Sequence, residues 1–255
     1  MTTWRAVYPA PVRSNAELPV SPGGNRAVKR VSISEQITLP LRAGAALRDK
    51  RFFHPVGVLC GGAVTRLAPD GQGLPVRSGD VIGRLSKGAG TPGSLPDFAG
   101  LAWRMDGDGD GPSPWDVLMV TAAGRVALRP VSAWTAAPYS TLMPLGYRGG
   151  TFWLRARMTT ELSGNGLSCT DVREQLKRGR IDFVIEQARG TGPFEALAAL
   201  TFDRELDTGH DGGDTPFDPT LRSGTQVTLL PRWLTSFRRS AYRNSRKGRG
   251  AAPTT

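Results

Sequence analysis

The chain has 255 residues, 39% hydrophobic and 22% charged, with a mean hydropathy of −0.27, enough to bury one sizeable core in one domain or at most two. Nothing in it approaches the ~20 consecutive apolar residues of a membrane span, no basic-then-apolar leader opens it, and two cysteines, Cys60 and Cys169, exclude a disulfide scaffold and a CxxC metal pair. The net charge of +11 and pI near 10.6 call for an acidic partner, whether nucleic acid, anionic lipid or a carboxylate-bearing cofactor. A reduced, cytoplasmic setting is the expectation.

Residues 1–40 are rich in Pro, Ser and Asn without sustained periodicity and read as an N-terminal arm. AGAALRDKRFFH then has helical character until Pro55 interrupts it. Short strand-like runs follow, VGVLCGGAVTRL, DVIGRLS, GLAWRM, WDVLMVT, RVALRPV and TFWLRARMTTEL, separated by Gly, Pro, Asp and Ser. Such a succession predicts a barrel or sandwich. CTDVREQLKRGR, opening on a Thr or Asp cap, predicts a helix ending near Gly179. IDFVIEQA and LAALTFDREL read as further strands, DTGHDGGDTPFDP as a polar loop, and a final helix is expected from about Trp233.

Two stretches resemble metal sites without their chemistry. DGDGDG, Asp106 to Gly111, matches the start of a calcium loop, but the twelfth position is Val117 where a bidentate Glu is required, and two prolines follow. HDGGD around His210 has a single imidazole on a Gly-Gly step and reads as a loop.

From Arg232 to Arg249 there are seven Lys or Arg and no acid, with Tyr242 in their midst. Helical spacing sets Arg238, Tyr242, Ser245 and Arg249 on one face. A solvated basic face is the ordinary fate of such a run. A tyrosine one turn from a guanidinium has another use, because an opposite charge within ~4–6 Å favours the phenolate, which can ligate ferric iron. RFFHPVGVLCGG adds His54 beside Arg51, with glycines that allow a flat group to approach the backbone. GRLSKGAG adds Arg84 and Ser86, two apart on one strand face.

In order and spacing these clusters resemble the haem-binding core of catalases and the shorter catalase-related peroxidases. Arg51-Phe-Phe-His54-Pro-Val-Gly57 is similar to that family's Arg-x-x-His strand, and Gly83-Arg84-Leu85-Ser86 to its Val-Arg-Phe-Ser strand. Asp97 to Ala102, Trp115-Asp116, PYSTLMPLGYRGG, Phe217-Asp218-Pro219 and the Arg238-to-Arg249 segment follow in the family's order. The likeness spans roughly residues 45–249; its specific parts are the His cluster and the Arg–Tyr helix.

The resemblance implies an α+β fold in one domain over 1–255: an N-terminal arm over 1–40, a catalase-like antiparallel β-barrel with an inserted helix over 41–230, and a C-terminal haem-ligand helix and tail over 231–255. It implies haem b as cofactor, with Tyr242 as the phenolate ligand of the iron and Arg238 holding it ionised. Arg51, Arg84 and Arg249 would bind the propionates. His54 would move the peroxide proton, Ser86 would orient its imidazole, and Thr121 would stand in for the family's distal Asn. The stretch from Asp116 to Ala122 contains no amide, and Ala99 occupies a position where the family often has Arg. Peroxidase turnover of hydrogen peroxide or an organic hydroperoxide with an organic reductant is therefore expected, with weak or no catalase activity. A homodimer is the family-like assembly. A barrel that binds haem or another ligand without turnover is the nearer alternative. A basic nucleic-acid-binding protein is the more distant one, with few stacking aromatics and no RNP, KH or zinc signature.

Overall fold

A computed structural model describes residues 56–88, 90–91, 95–107, 113–164, 166–207 and 215–231. The expected N-terminal arm and helix, the loop around His210 and the C-terminal helix lie outside the described residues, as does most of DGDGDG.

Among the described residues, eleven strands form one antiparallel sheet: β1 (Val56–Arg66), β2 (Gly79–Lys87), β3 (Ala99–Met105), β4 (Trp115–Ala123), β5 (Ala127–Leu128), β6 (Tyr139–Ser140), β7 (Leu145–Tyr147), β8 (Gly150–Met158), β9 (Ile181–Arg189), β10 (Glu195–Glu205) and β11 (Thr228–Leu229). The path β8-β6-β4-β3-β2-β1-β10-β9 returns to β8, because β8 also pairs with β9. Eight strands thus close a barrel and remove the unpaired edges that an open sheet of this size would expose. β7 and β11 continue outward from β8, and β5 pairs with the end of β4.

Alternation along the strands, broken at the irregularities of β1 and β10, sends one residue set inward. Val81, Leu85, Leu101, Trp103, Met105, Val117, Met119, Tyr139, Leu154, Phe183, Ile185, Leu200 and Phe202 form this interior and are nearly inaccessible. Phe183 meets Tyr139 and Phe202 edge to face, with ring centroids 5.9 and 6.1 Å apart, an arrangement that aromatic quadrupoles favour. A small residue is demanded where rings press closest: a Cβ on Gly83 would run into the Phe202 ring.

The helix α1 (Cys169–Arg178) lies in the connection between β8 and β9 and packs on β10, β1 and β2. Its buried residues, Cys169, Val172 and Leu176, follow helical spacing and join the barrel core. Arg173 pairs with Glu205 at the end of β10 at 2.8 Å, so the helix covers the end of the barrel where β1 begins. The cap is Ser168, ahead of the expected Thr170 or Asp171; its Oγ accepts from the Asp171 N–H at 3.3 Å. The expected α+β class is corrected to mostly β for the described residues, since the other expected helices fall outside them. No helix among the described residues is long and apolar enough to cross a membrane.

Candidate functional site

The registers of β1 to β4 assemble the barrel's outer wall row by row. Gly57, Ser86, Gly100, Val120 and Ser140 are successive partners across five strands. The next row is Leu59, Arg84, Ala102 and Leu118. All of these point away from the interior because their neighbours in sequence fill it. The outcome is a shelf of small and apolar residues, with Arg84 rising from its second row.

Gly57 is required where it stands. A Cβ there would lie 2.5 Å from Arg84 Nε, 2.8 Å from the Leu85 carbonyl and 3.0 Å from Ser86 Cβ. The Arg84 side chain therefore lies across the glycine, close to Ser86, which is only 4% exposed. Arg84 and Ser86, expected on one strand face, do share the outer one.

Thr121 does not join them. It follows Met119 on the inward-facing set and pairs with Tyr139. Its hydroxyl donates to the Arg129 carbonyl at 2.8 Å and accepts from the Ala99 N–H at 3.2 Å. The outward positions of β4 beside the shelf are Leu118 and Val120, both apolar. Arg51, His54, Arg238, Tyr242 and Arg249 lie outside the described residues.

Two tyrosines are described, and neither faces the shelf. Tyr139 is fully buried on the inward set, donates to the Trp134 carbonyl at 2.8 Å, and is held protonated because burial pushes its pKa far above the ordinary phenol value. Tyr147 sits at the hairpin between β7 and β8, under the Arg148 guanidinium.

Beyond the shelf, the third row ends on a network that no local pattern announces. Asp116 is inaccessible and receives Arg104 through two bonds, Nε to Oδ1 at 2.6 Å and Nη2 to Oδ2 at 2.9 Å. That pairing raises the Arg104 pKa. Asp116 also accepts the Asp218 N–H at 2.6 Å, while Arg104 donates to the Pro216 carbonyl at 2.6 Å and stacks on Phe217. Asp218 in turn accepts from the N–H and hydroxyl of Thr220, fixing the turn at Pro219. The Trp-Asp and Phe-Asp-Pro motifs are thus two halves of one clamp. It holds residues 215–223 against β3 and β4 and directs the chain towards β11. The signal was present in sequence only as two separate motifs. The gap beneath Pro219, lined by Asp116, Leu118 and Thr141, measures about 20 Å³, the size of a water and not of a ligand.

A closed eight-stranded antiparallel barrel with a helix inserted between β8 and β9 is a catalase-like fold, as solved structures show. The chain is similar to a bacterial catalase (TM-score 0.57, 12% identity, 88% of this chain and 63% of that one), a fungal catalase (0.57, 8%, 86% and 64%) and catalase A of Saccharomyces cerevisiae (0.57, 8%, 89% and 67%). It thus spans about two thirds of the length of these proteins. No family profile matches the chain, and no curated protein matches it.

Proposed function

We propose that this protein is a haem enzyme that reduces hydrogen peroxide or an organic hydroperoxide, drawing electrons from an organic reductant and disproportionating peroxide weakly or not at all. The observation that carries the reading is the outer shelf of a catalase-like barrel, flat at Gly57 and Gly100, apolar at Leu59, Ala102 and Val120, with one guanidinium at Arg84. A macrocycle with an apolar plane and carboxylate edges suits that surface: glycine backbone admits close approach, and a permanently charged planar cation suits a propionate.

Haem b bound there would supply redox chemistry at iron. Tyr242 would hold the metal as phenolate, with Arg238 favouring its ionised form, and Arg51 and Arg249 would join Arg84 on the propionates. The assignment of Tyr242 gains support from the described tyrosines, since Tyr139 is buried and protonated and Tyr147 stands at a distant hairpin. His54 would accept the proton of the bound hydroperoxide and return it to the departing oxygen, so that water or an alcohol leaves in place of an oxide. Ser86, next to Gly57, would orient that imidazole. A side chain on Val120 or Leu118 offers no donor to a second peroxide, which supports peroxidase turnover over disproportionation. Thr121, in the role first expected of it, would have to act on the far side of its strand, with its hydroxyl already donating to the Arg129 backbone carbonyl.

The test is visible absorption of full-length protein reconstituted with haem, before and after addition of hydrogen peroxide and a bulky organic hydroperoxide. A Soret band is expected in the wild type, and Tyr242→Phe should lose or weaken it; an unchanged spectrum would remove the ligand assignment. His54→Ala should keep the band and slow the peroxide reaction by about 10²–10⁴-fold. The apolar β4 wall also favours a second reading, ligand binding without turnover, in which the band forms and peroxide leaves it unaltered. A salt-sensitive DNA shift that survives Tyr242→Phe, with no Soret band in the wild type, would point instead to the basic segment as a nucleic-acid arm.

A further inference from the structure

The end of the barrel remote from α1 carries a groove of about 220 Å³ whose lining includes Pro75, Arg77, Met105, Trp115, Arg148 and Gln226. Its rim is built with care. The Thr225 hydroxyl accepts the Ser113 N–H at 2.9 Å, and Gly224, at φ +74°, lets residues 224–226 lie on the Trp115 ring, which a Cβ would meet at 3.0 Å.

Three described non-glycine residues have left-handed backbone, and two of them, Arg148 (φ 45°) and Gln226 (φ 61°), line this groove. Arg148 and Gly149 form the two-residue turn between β7 and β8, where both central positions need positive φ and Asn-Gly is the favoured pair. An arginine there works against local preference, and such residues gather at functional sites. Its guanidinium stacks on the Tyr147 ring, 5.2 Å from the centroid. Arg77 lines the same groove, and its guanidinium donates to the Asp106 carbonyl at 3.4 Å.

We propose that this groove binds a small aryl carboxylate, its ring between Met105, Trp115 and Pro75 and its charge between Arg148 and Arg77, with Gln226 and Ser113 as polar partners. The volume lies below the ~300–1,000 Å³ usual for drug-sized ligands, so a single ring with a short acid arm is the matching size. The inference does not rest on the haem reading, because the groove is at the opposite end of the fold from Ser86 and Arg84.

Phenylacetate titrated calorimetrically into the full chain, with phenylacetamide as its uncharged counterpart, tests it. Phenylacetate should bind at least tenfold more tightly than the amide. Arg148→Asn should weaken phenylacetate binding tenfold or more while raising Tm by about 2–4 °C, since Asn suits the turn. Arg77→Gln, which leaves the turn untouched, should weaken binding as well. Equal binding of acid and amide, no binding of either, or phenylacetate affinity unchanged in both variants would overturn the proposal.

Discussion

Asp116 shows how much one side chain can organise. A carboxylate without solvent is costly unless it is fully bonded, and Arg104, the Asp218 N–H and Arg222, 3.7 Å away, supply the bonds and the charge. Asp116→Asn would keep the shape and strand Arg104, whose side chain is only 12% exposed. The expected loss is about 3 kcal/mol in urea unfolding, at the lower end for a broken buried pair because Arg104 keeps the Pro216 carbonyl. A loss under ~0.5 kcal/mol would mean that the clamp contributes nothing. Arg66 illustrates a different use of charge: it donates to the carbonyls of Leu74 and Val76 at 3.0 and 2.7 Å and gathers the β1–β2 loop, with the exposed Asp70 carboxylate 3.9 Å from its Nε.

Among the elements, β1 and β2 carry the argument. Both are long, and their pairing runs unbroken from Val56 opposite Lys87 to Val64 opposite Gly79. On the β10 side β1 slips by a residue between Gly61 and Gly62, where a Cβ on Gly62 would collide with the Thr201 carbonyl. Such a bulge tightens the local twist, which helps a sheet to close. Gly57→Ala tests the shelf as packing: the new methyl meets the Leu85 backbone oxygen as well as Arg84, so overpacking should cost about 1–3 kcal/mol in thermal or urea unfolding. Full wild-type stability would show that Arg84 can leave the glycine freely. α1 contributes through its termini as well as its apolar stripe, with Asp171 in its first turn and Lys177 and Arg178 in its last, each favourable to the helix dipole.

Across the whole molecule the basic excess is segregated. Residues 56–231 hold 17 Lys or Arg against 19 Asp or Glu, whereas residues 1–55 hold 9 against 3 and residues 232–255 hold 7 against none. The barrel's arginines are largely committed to its own fold: Arg104 to Asp116, Arg125 to the Gly190 and Gly192 carbonyls, Arg155 and Arg157 to Glu186. The excess positive charge therefore lies in the flanking segments. Glu186 couples this arrangement to pH. Burial pushes its carboxyl up, but the hydrogen bonds from Arg155 and Arg157 outweigh burial and hold it below the ordinary value. A depressed folded pKa stabilises fully above the unfolded value, about 4.3, and that contribution fades as pH falls below it. Glu186→Gln should thus lower stability at pH 7 and narrow its difference from wild type as pH approaches 3, read from urea midpoints; a constant difference would dissociate the pair from acid unfolding.

Much of this fold could be read along the chain, because burial alternates with the backbone's own period. β1, β2, β3, β4, β8, β9 and β10 and the single described helix lie where two- and 3.6-residue patterns put them, and Arg84 and Ser86 share a face for the same reason. β6, β7 and β11 are two or three residues long, too short for a period to register. The side of the wall on which Thr121 lies turns on a one-residue register between β3 and β4, and one partner of Asp116, the Asp218 N–H, is 102 positions away in sequence. Local patterns record how strongly a residue seeks burial; which residues meet is settled when the eight strands close into a ring, since closure sets every register at once.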